Sequence, residues 1–75
     1  MKVKIKLDTM TDIANFVLAV HRATGKHDKV WVKDTEGSCI SAKSFLGLAA
    51  ARDFSEIWCE SEKDIYSYIK DFIIE

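Results

Sequence analysis

The feature that most constrains the fold is a change of hydrophobic period near the start of the chain. In MKVKIKL, Val3, Ile5 and Leu7 alternate with three lysines, which is the pattern of a strand with one buried and one basic face. Farther along, apolar residues recur at helical spacing: Ile13, Phe16, Val17, Val20 and Ala23. A strand and an amphipathic helix this close together predict a domain that mixes α and β layers.

The ends of this first helix are marked by polar residues and a glycine. Thr9 or Thr11 can cap its N-terminus, and Asp12 lies in the first turn, where a carboxylate is favourable. Gly25 predicts a C-terminal stop after Thr24.

The middle of the chain predicts a hairpin followed by a short helix. In KVWVK, Val30 and Val32 are expected to face the core and Trp31 the opposite side. A turn over residues 34–37 returns the chain as a short strand over 38–41. Residues 44–51 then predict a helix that Ser44 caps, with Leu48 and Ala51 buried.

The last third predicts a strand over residues 55–60 and a final helix. Residues 61–64, Ser-Glu-Lys-Asp, resemble a capping box. The apolar stripe expected on the helix after it consists of Ile65, Tyr68, Ile69, Phe72 and Ile73.

The predicted order, βαββαβα, indicates the fold class. We expect an α+β, two-layer open-faced sandwich: a four-stranded antiparallel sheet with three helices on one face. The chain has 75 residues, and no linker or repeat divides it, so residues 1–75 are predicted to form a single domain.

Composition excludes several classes of function. The formal net charge is −1, from 11 basic and 12 acidic residues, which argues against a nucleic-acid partner held by phosphate attraction. No apolar run approaches the length of a membrane span, so no membrane insertion is expected. Cys39 and Cys59 are expected to be buried thiols in a reducing cytoplasm, which predicts a cytoplasmic protein.

No pattern in the sequence indicates an enzyme. The chain has neither a clustered set of metal ligands nor a glycine-rich phosphate loop, so no metal and no cofactor is expected. His21 and His27 have no carboxylate or hydroxyl partner at motif spacing, and both are expected to be ordinary, partly exposed side chains.

One segment carries a family resemblance. Residues 42–48, Ala-Lys-Ser-Phe-Leu-Gly-Leu, resemble the signature around the regulatory serine of HPr, the histidine phosphocarrier of the bacterial sugar phosphotransferase system. In that signature a small residue, Lys and Ser precede two bulky apolar residues, a Gly and another apolar residue. The preceding hairpin and the first strand are in register with the family, so the resemblance implies an HPr-like domain.

The chain departs from the family at the first helix. The family begins this helix with a sequence of the type Gly-Ile-His-Ala-Arg-Pro, in which the His accepts a phosphoryl group from enzyme I and the Arg steadies it. Here Asp12 stands at the His position, Ala14 at the Arg position and Asn15 at the Pro position. The resemblance therefore implies a member without His phosphoryl transfer and without a catalytic residue.

The resemblance also implies a regulatory site around Ser44. Ser44 corresponds to the serine that an ATP-dependent kinase phosphorylates in Gram-positive members, although it can equally be only a helix cap. Phe45, Leu46 and Ala49 correspond to an apolar patch that docks proteins. A partner is thus expected on residues 44–49 and the N-terminus of the first helix.

These observations leave three hypotheses for the function. The first is a regulatory or accessory HPr-like domain that binds a protein of the sugar-transport or carbon-control machinery. The second is a phosphocarrier that uses Asp12 in place of His, since aspartate can form acyl phosphates. The third is a small nucleic-acid-binding module that stacks bases on Trp31 and Trp58, a reading that the near-neutral charge disfavours.

Overall fold

The computed structural model describes residues 1–74, and its elements follow the predicted order. They are β1 (Lys2–Ile5), α1 (Met10–Ala23), β2 (Val30–Lys33), β3 (Cys39–Ser41), α2 (Phe45–Ala49), β4 (Ile57–Ser61) and α3 (Tyr66–Ile69). Short 3-10 turns follow α2 over Ala50–Asp53 and α3 over Lys70–Phe72. The α+β class with a four-stranded antiparallel sheet and three helices is confirmed.

The sheet has the strand order β1-β4-β2-β3, and every neighbouring pair is antiparallel. Its register aligns Val3 with Cys59, Cys59 with Val32, and Val32 with Ile40. This row faces the helices, and Cys59 and Val32 are fully buried. Because side chains alternate along a strand, Trp31 and Trp58 lie on the other face, which no helix covers.

The apolar stripe predicted for the first helix forms one wall of the core. All five of its residues are buried: Ile13, Phe16, Val17, Val20 and Ala23. The ring of Phe16 meets that of Phe72 edge to face, with the centroids 5.4 Å apart. This edge-to-face pair fixes the 3-10 turn after α3 against α1.

The first helix ends where the sequence indicated, but Thr24 and not Gly25 terminates it. Thr24 is the C-cap, and its hydroxyl donates a hydrogen bond of 2.7 Å to the Val20 carbonyl. Gly25 does not adopt the left-handed conformation; among the described residues only Gly37 has a positive φ, of 97°. The expectation that Gly25 stops the helix was therefore wrong, whereas Gly37 supplies the turn of the predicted hairpin.

The predicted capping box at residues 61–64 was wrong. Ser61 is the last residue of β4 and pairs with Val30, because the strand gains more backbone pairing by continuing through it. The Ser61 hydroxyl is buried and has no hydrogen-bond partner among residues 1–74. Helix α3 begins only after Ile65, which provides no side-chain cap.

The final stripe is only partly realised, because α3 is a single turn. Ile65 and Ile69 are fully buried, but Tyr68 is 54 % exposed, so its predicted place in the core was wrong. Residues 73 and 74 lie along the outer edge of β1, where Ile73 pairs with Ile5. The N–H of Lys6 donates to the Phe72 carbonyl and that of Ile74 to the Lys4 carbonyl, each at 2.9 Å. Unpaired groups of an edge strand favour this pairing over further helix.

Within residues 1–74, none of the helices has the length and apolar character that a membrane crossing requires.

Candidate functional site

Ser44 caps α2 as the sequence predicted. Its backbone is extended, and its hydroxyl accepts a hydrogen bond of 3.0 Å from the N–H of Gly47. The Ser44 carbonyl accepts a further bond from the N–H of Leu48, at 2.9 Å. The Ser44 side chain is exposed at the surface, so its hydroxyl is accessible while it serves as the cap.

Gly47 permits this cap to form. A Cβ added there would lie 2.9 Å from Cγ2 of Ile40 and 3.0 Å from the hydroxyl oxygen of Ser44. The first contact is shorter than real Cβ atoms show, so the Ile40 side chain or α2 itself would have to shift. Gly47 therefore allows α2 to approach the sheet closely enough for Ser44 to cap it.

Lys43 holds the start of α2 against the loop that follows α1. Its ammonium donates to the carbonyls of Gly25 and Asp28, at 2.9 and 2.6 Å. Its own carbonyl lies 3.3 Å from Nε2 of His21, so both ends of the residue contact the α1 side of the molecule. The sequence marked Lys43 only as part of a motif and gave no sign of these long-range contacts.

The loop that Lys43 holds is ordered by Asp28. The Asp28 carboxylate accepts a bond of 2.8 Å from the N–H of Gly25 and lies 3.6 Å from the ammonium of Lys63. The backbone hydrogen bond from Gly25 and, to a smaller extent, Lys63 lower the pKa of Asp28 from its ordinary value. Asp28 thus stabilises the loop in two ways: its carboxylate accepts from Gly25, and its backbone carbonyl accepts from Lys43.

Helix α2 divides its short sequence between core and surface. Leu48 and Ala51 are fully buried, as predicted. Phe45 is 38 % exposed and Leu46 is 84 % exposed, while Ala49 is half-buried. We call Phe45, Leu46 and Ala49 the α2 patch.

The α2 patch borders the start of α1. Ala49 lines a shallow depression of about 390 Å³ together with Leu7, Asp8 and Arg52. Asp8 lies in the loop that leads into α1, so the patch and the N-terminus of α1 share one continuous surface. A partner site on these two segments stays a prediction.

Asp12 is part of a capping box at the start of α1. The hydroxyl of Thr9 accepts from the N–H of Asp12 at 3.0 Å, and Oδ2 of Asp12 accepts from the N–H groups of Thr9 and Asp8 at 3.2 and 3.1 Å. One oxygen of the carboxylate therefore already binds two backbone donors. Among residues 1–74, Asp12 forms no ion pair with an arginine or a lysine.

Two residues after Asp12, the α1 position carries an alanine. Ala14 has no donor to offer. Two cations, Lys6 and Arg22, line a groove of about 590 Å³ with Asp12. Lys6 lies 3.5 Å from Oδ2 of Asp8, and Arg22 follows Asp12 by ten residues, almost three helical turns along α1. The Thr9 hydroxyl and the carboxylate of Asp12 are instead used to hold the helix start.

The two histidines are exposed, whereas the two cysteines differ in burial. His21 and His27 are both exposed, and within the described part of the chain no group of three or more His, Cys, Asp and Glu could hold a metal ion. Cys59 is buried as predicted, and burial raises the pKa of its thiol to about 12. Cys39 is exposed, so the expectation that it is buried was wrong: it lies on β3 beside Lys33, on the uncovered face of the sheet.

Comparison with protein-family models, with curated proteins and with solved structures finds no match to this chain.

Proposed function

We propose that this chain is an HPr-like domain that binds a protein partner through the α2 patch and the neighbouring start of α1, without carrying a phosphoryl group on histidine. Its role would be regulatory or accessory to the sugar phosphotransferase or carbon-control machinery of bacteria. The observation that carries the proposal is the exposure of Leu46, 84 %, beside Phe45 on a helix whose other face is fully buried.

Exposed apolar side chains next to one another favour association with another protein. Single exposed leucines are common, but Leu46 and Phe45 are adjacent and continue through Ala49 to the start of α1. The segment between Lys43 and Arg52 has no charged residue, so a partner can cover it without desolvating a charge of this chain. The rigid attachment of α2 by Gly47 and Lys43 lowers the entropy that binding would cost.

The partner can be sought directly among proteins that bind HPr. We would titrate the ¹⁵N-labelled chain with enzyme I and with HPr kinase and follow the amide shifts. The proposal expects shifts centred on Phe45 and Leu46 with at least one of them, and loss of the shifts in Leu46→Lys. Leu18→Lys is the matched control, because Leu18 is 53 % exposed on α1 outside the patch. Shifts on another surface, or none with either protein, would reject this assignment.

The absence of phosphoryl transfer is tested separately. After incubation with enzyme I and phosphoenolpyruvate, the intact mass of the chain should be unchanged, while HPr in the same reaction gains one phosphoryl group. This expectation is supported by the capping role of Asp12 and by Ala14 at the position of the family's Arg. A hydroxylamine-sensitive adduct that disappears in Asp12→Asn would establish the alternative, a phosphocarrier that uses Asp12.

Phosphorylation of Ser44 is the regulatory part of the proposal. The Ser44 hydroxyl is exposed and adjoins both the N–H of Gly47 and the α2 patch, so a phosphate there would add negative charge at the edge of the docking surface. Incubation with HPr kinase and ATP should add one phosphoryl group to the native chain and none to Ser44→Ala. Equal labelling of Ser44→Ala would exclude Ser44 as the acceptor.

A further inference from the structure

We propose that the uncovered face of the sheet binds single-stranded nucleic acid, with a base stacked on Trp31 and phosphates held by the lysines around it. This surface lies opposite the helices and is independent of the α2 patch. The proposal departs from the sequence expectation of no nucleic-acid partner, which used only the total charge. The fold distributes that charge unevenly.

Both tryptophans of the chain lie on this face. Trp31 on β2 aligns with Glu60 of β4, and Trp58 on β4 aligns with Lys33 of β2, so the two indoles occupy diagonal positions on adjacent strands. Trp31 is 37 % exposed, although a large aromatic side chain gains most from burial. An exposed ring on a central strand of an open sheet is a platform on which a base can stack.

Lysines flank the tryptophans on both sides. Strand alternation puts Lys2 and Lys4 of β1 on this face, and Lys29 and Lys33 lie beside Trp31 on the β2 side. Glu56, Glu60 and Glu62 lie along β4. Four lysines thus stand against three glutamates on this face, in a chain whose net charge is −1. The excess of positive charge complements a phosphate backbone.

Two of these lysines have no carboxylate partner among the described residues. Lys2 and Lys29 make no ion pair among residues 1–74, and both line a depression of about 630 Å³ beside Trp31. Lys33 lines the same depression and pairs with Glu60 at 3.0 Å. That pair is partly exposed to solvent, so exchanging the carboxylate for a phosphate costs little.

Trp58 is expected to contribute less than Trp31. The ammonium of Lys2 lies 5.6 Å from the centroid of its ring, and its indole N–H points at Oε2 of Glu56, 3.5 Å away. A base on Trp58 would have to displace Lys2, whereas no ammonium within residues 1–74 lies over the ring of Trp31. The structure therefore assigns the main stacking position to Trp31.

The test is a titration of the full chain with a fluorescein-labelled oligothymidylate of about 12 nucleotides, within the known range of site sizes. Anisotropy and tryptophan quenching should report binding that weakens as salt rises. Trp31→Ala should lower the affinity about tenfold, and Trp31→Phe should retain most of it, because a phenyl ring still stacks. Lys29→Gln should weaken binding and reduce its salt dependence.

Matched controls lie on the helix layer. Tyr68→Ala removes an aromatic ring that is 54 % exposed, and Lys70→Gln removes an exposed charge; neither should change the affinity. Should Trp31→Ala fail to fold, Trp31→Phe and Lys29→Gln still decide the outcome. The proposal is overturned if the oligonucleotide does not bind at low salt. It is also overturned if polyglutamate binds as tightly, since the face would then recognise an acidic peptide by charge alone.

Discussion

Gly47 of α2 lies so close to Ile40 of β3 that a single added carbon would stand 2.9 Å from the Ile40 methyl group. The closeness of this contact determines how α2 sits on the sheet and brings the N–H of Gly47 to the Ser44 hydroxyl at 3.0 Å. The position and the cap of the candidate docking helix thus depend on one missing side chain.

Gly47→Ala should therefore destabilise the protein, in contrast to the usual effect of alanine in a helix. Forcing the extra methyl against Ile40 is expected to lower the free energy of unfolding by about 1–3 kcal/mol, measured by urea denaturation. Gly25→Ala is the control, because its added Cβ meets only Asp28, at an ordinary 3.6 Å, and Gly25 does not have a positive φ. A neutral Gly47→Ala would show that the α2 contact is looser than described.

Measurements of the free energy of unfolding should distinguish the exposed Leu46 from the buried Leu48. Leu46→Lys should change the free energy of unfolding by less than about 0.5 kcal/mol, since a side chain that is 84 % exposed supports no packing. Leu48→Ala should cost about 2–5 kcal/mol, because Leu48 is fully buried. Comparable losses at both positions would mean that Leu46 belongs to the core and not to a docking surface.

Thr9 and Asp12 should behave as one unit. Each makes a hydrogen bond to the other's backbone, so Thr9→Ala or Asp12→Ala alone should cost about 1 kcal/mol. The double variant should cost less than the sum of the two, as a double-mutant cycle by urea denaturation would show. Strict additivity would contradict the capping box and leave the Asp12 carboxylate available for other chemistry.

The stability of the folded protein should fall in acid as three carboxylates become protonated. The hydrogen bond from Lys33 lowers the pKa of Glu60, that from Lys4 lowers the pKa of Glu56, and that from the N–H of Gly25 lowers the pKa of Asp28. A lowered folded-state pKa means that the unfolded chain takes up protons first as the pH falls through the ordinary values of 4.5 for Glu and 3.8 for Asp. The stabilisation is complete above that range and is lost below it.

The urea midpoint should accordingly be constant near neutral pH and decrease below about pH 4.5. Glu60→Gln should reduce the decrease, whereas Glu36→Gln, in the exposed hairpin turn, should leave it unchanged. An identical pH profile for native protein and Glu60→Gln would remove the Lys33 pair from this account.

The two thiols should differ sharply in reactivity. Cys39 is exposed and should react with a thiol reagent in the native protein, while Cys59 is buried with its pKa raised to about 12 and should react only after unfolding. Mass spectrometry should therefore find one label on the native chain and two in denaturant. Native labelling in Cys39→Ser would show that Cys59 is reached by local opening of the sheet.

Local pattern accounts for much of the fold. The stripe from Ile13 to Ala23 and the alternation in Val30 and Val32 were predicted correctly, because each depends on which face of one element is apolar. Ser44 as a cap follows from its place before an apolar run. The prediction was wrong where two local patterns compete: Ser61 matched a capping box, but it completes a strand beside Val30.

What the sequence determined by itself was the class of fold, the buried stripe of α1 and Ser44 as the cap of α2. Tertiary structure alone decided the exposure of Cys39 and Tyr68, the pairing of Ile73 with Ile5, and the attachment of Lys43 to the loop after α1. It also placed Trp31 and Trp58 among lysines on one face. The physical reason is the sequence distance over which each interaction acts. Hydrophobic period and capping act within a few residues, whereas edge pairing, ammonium–carbonyl contacts and charge distribution depend on segments far apart in sequence.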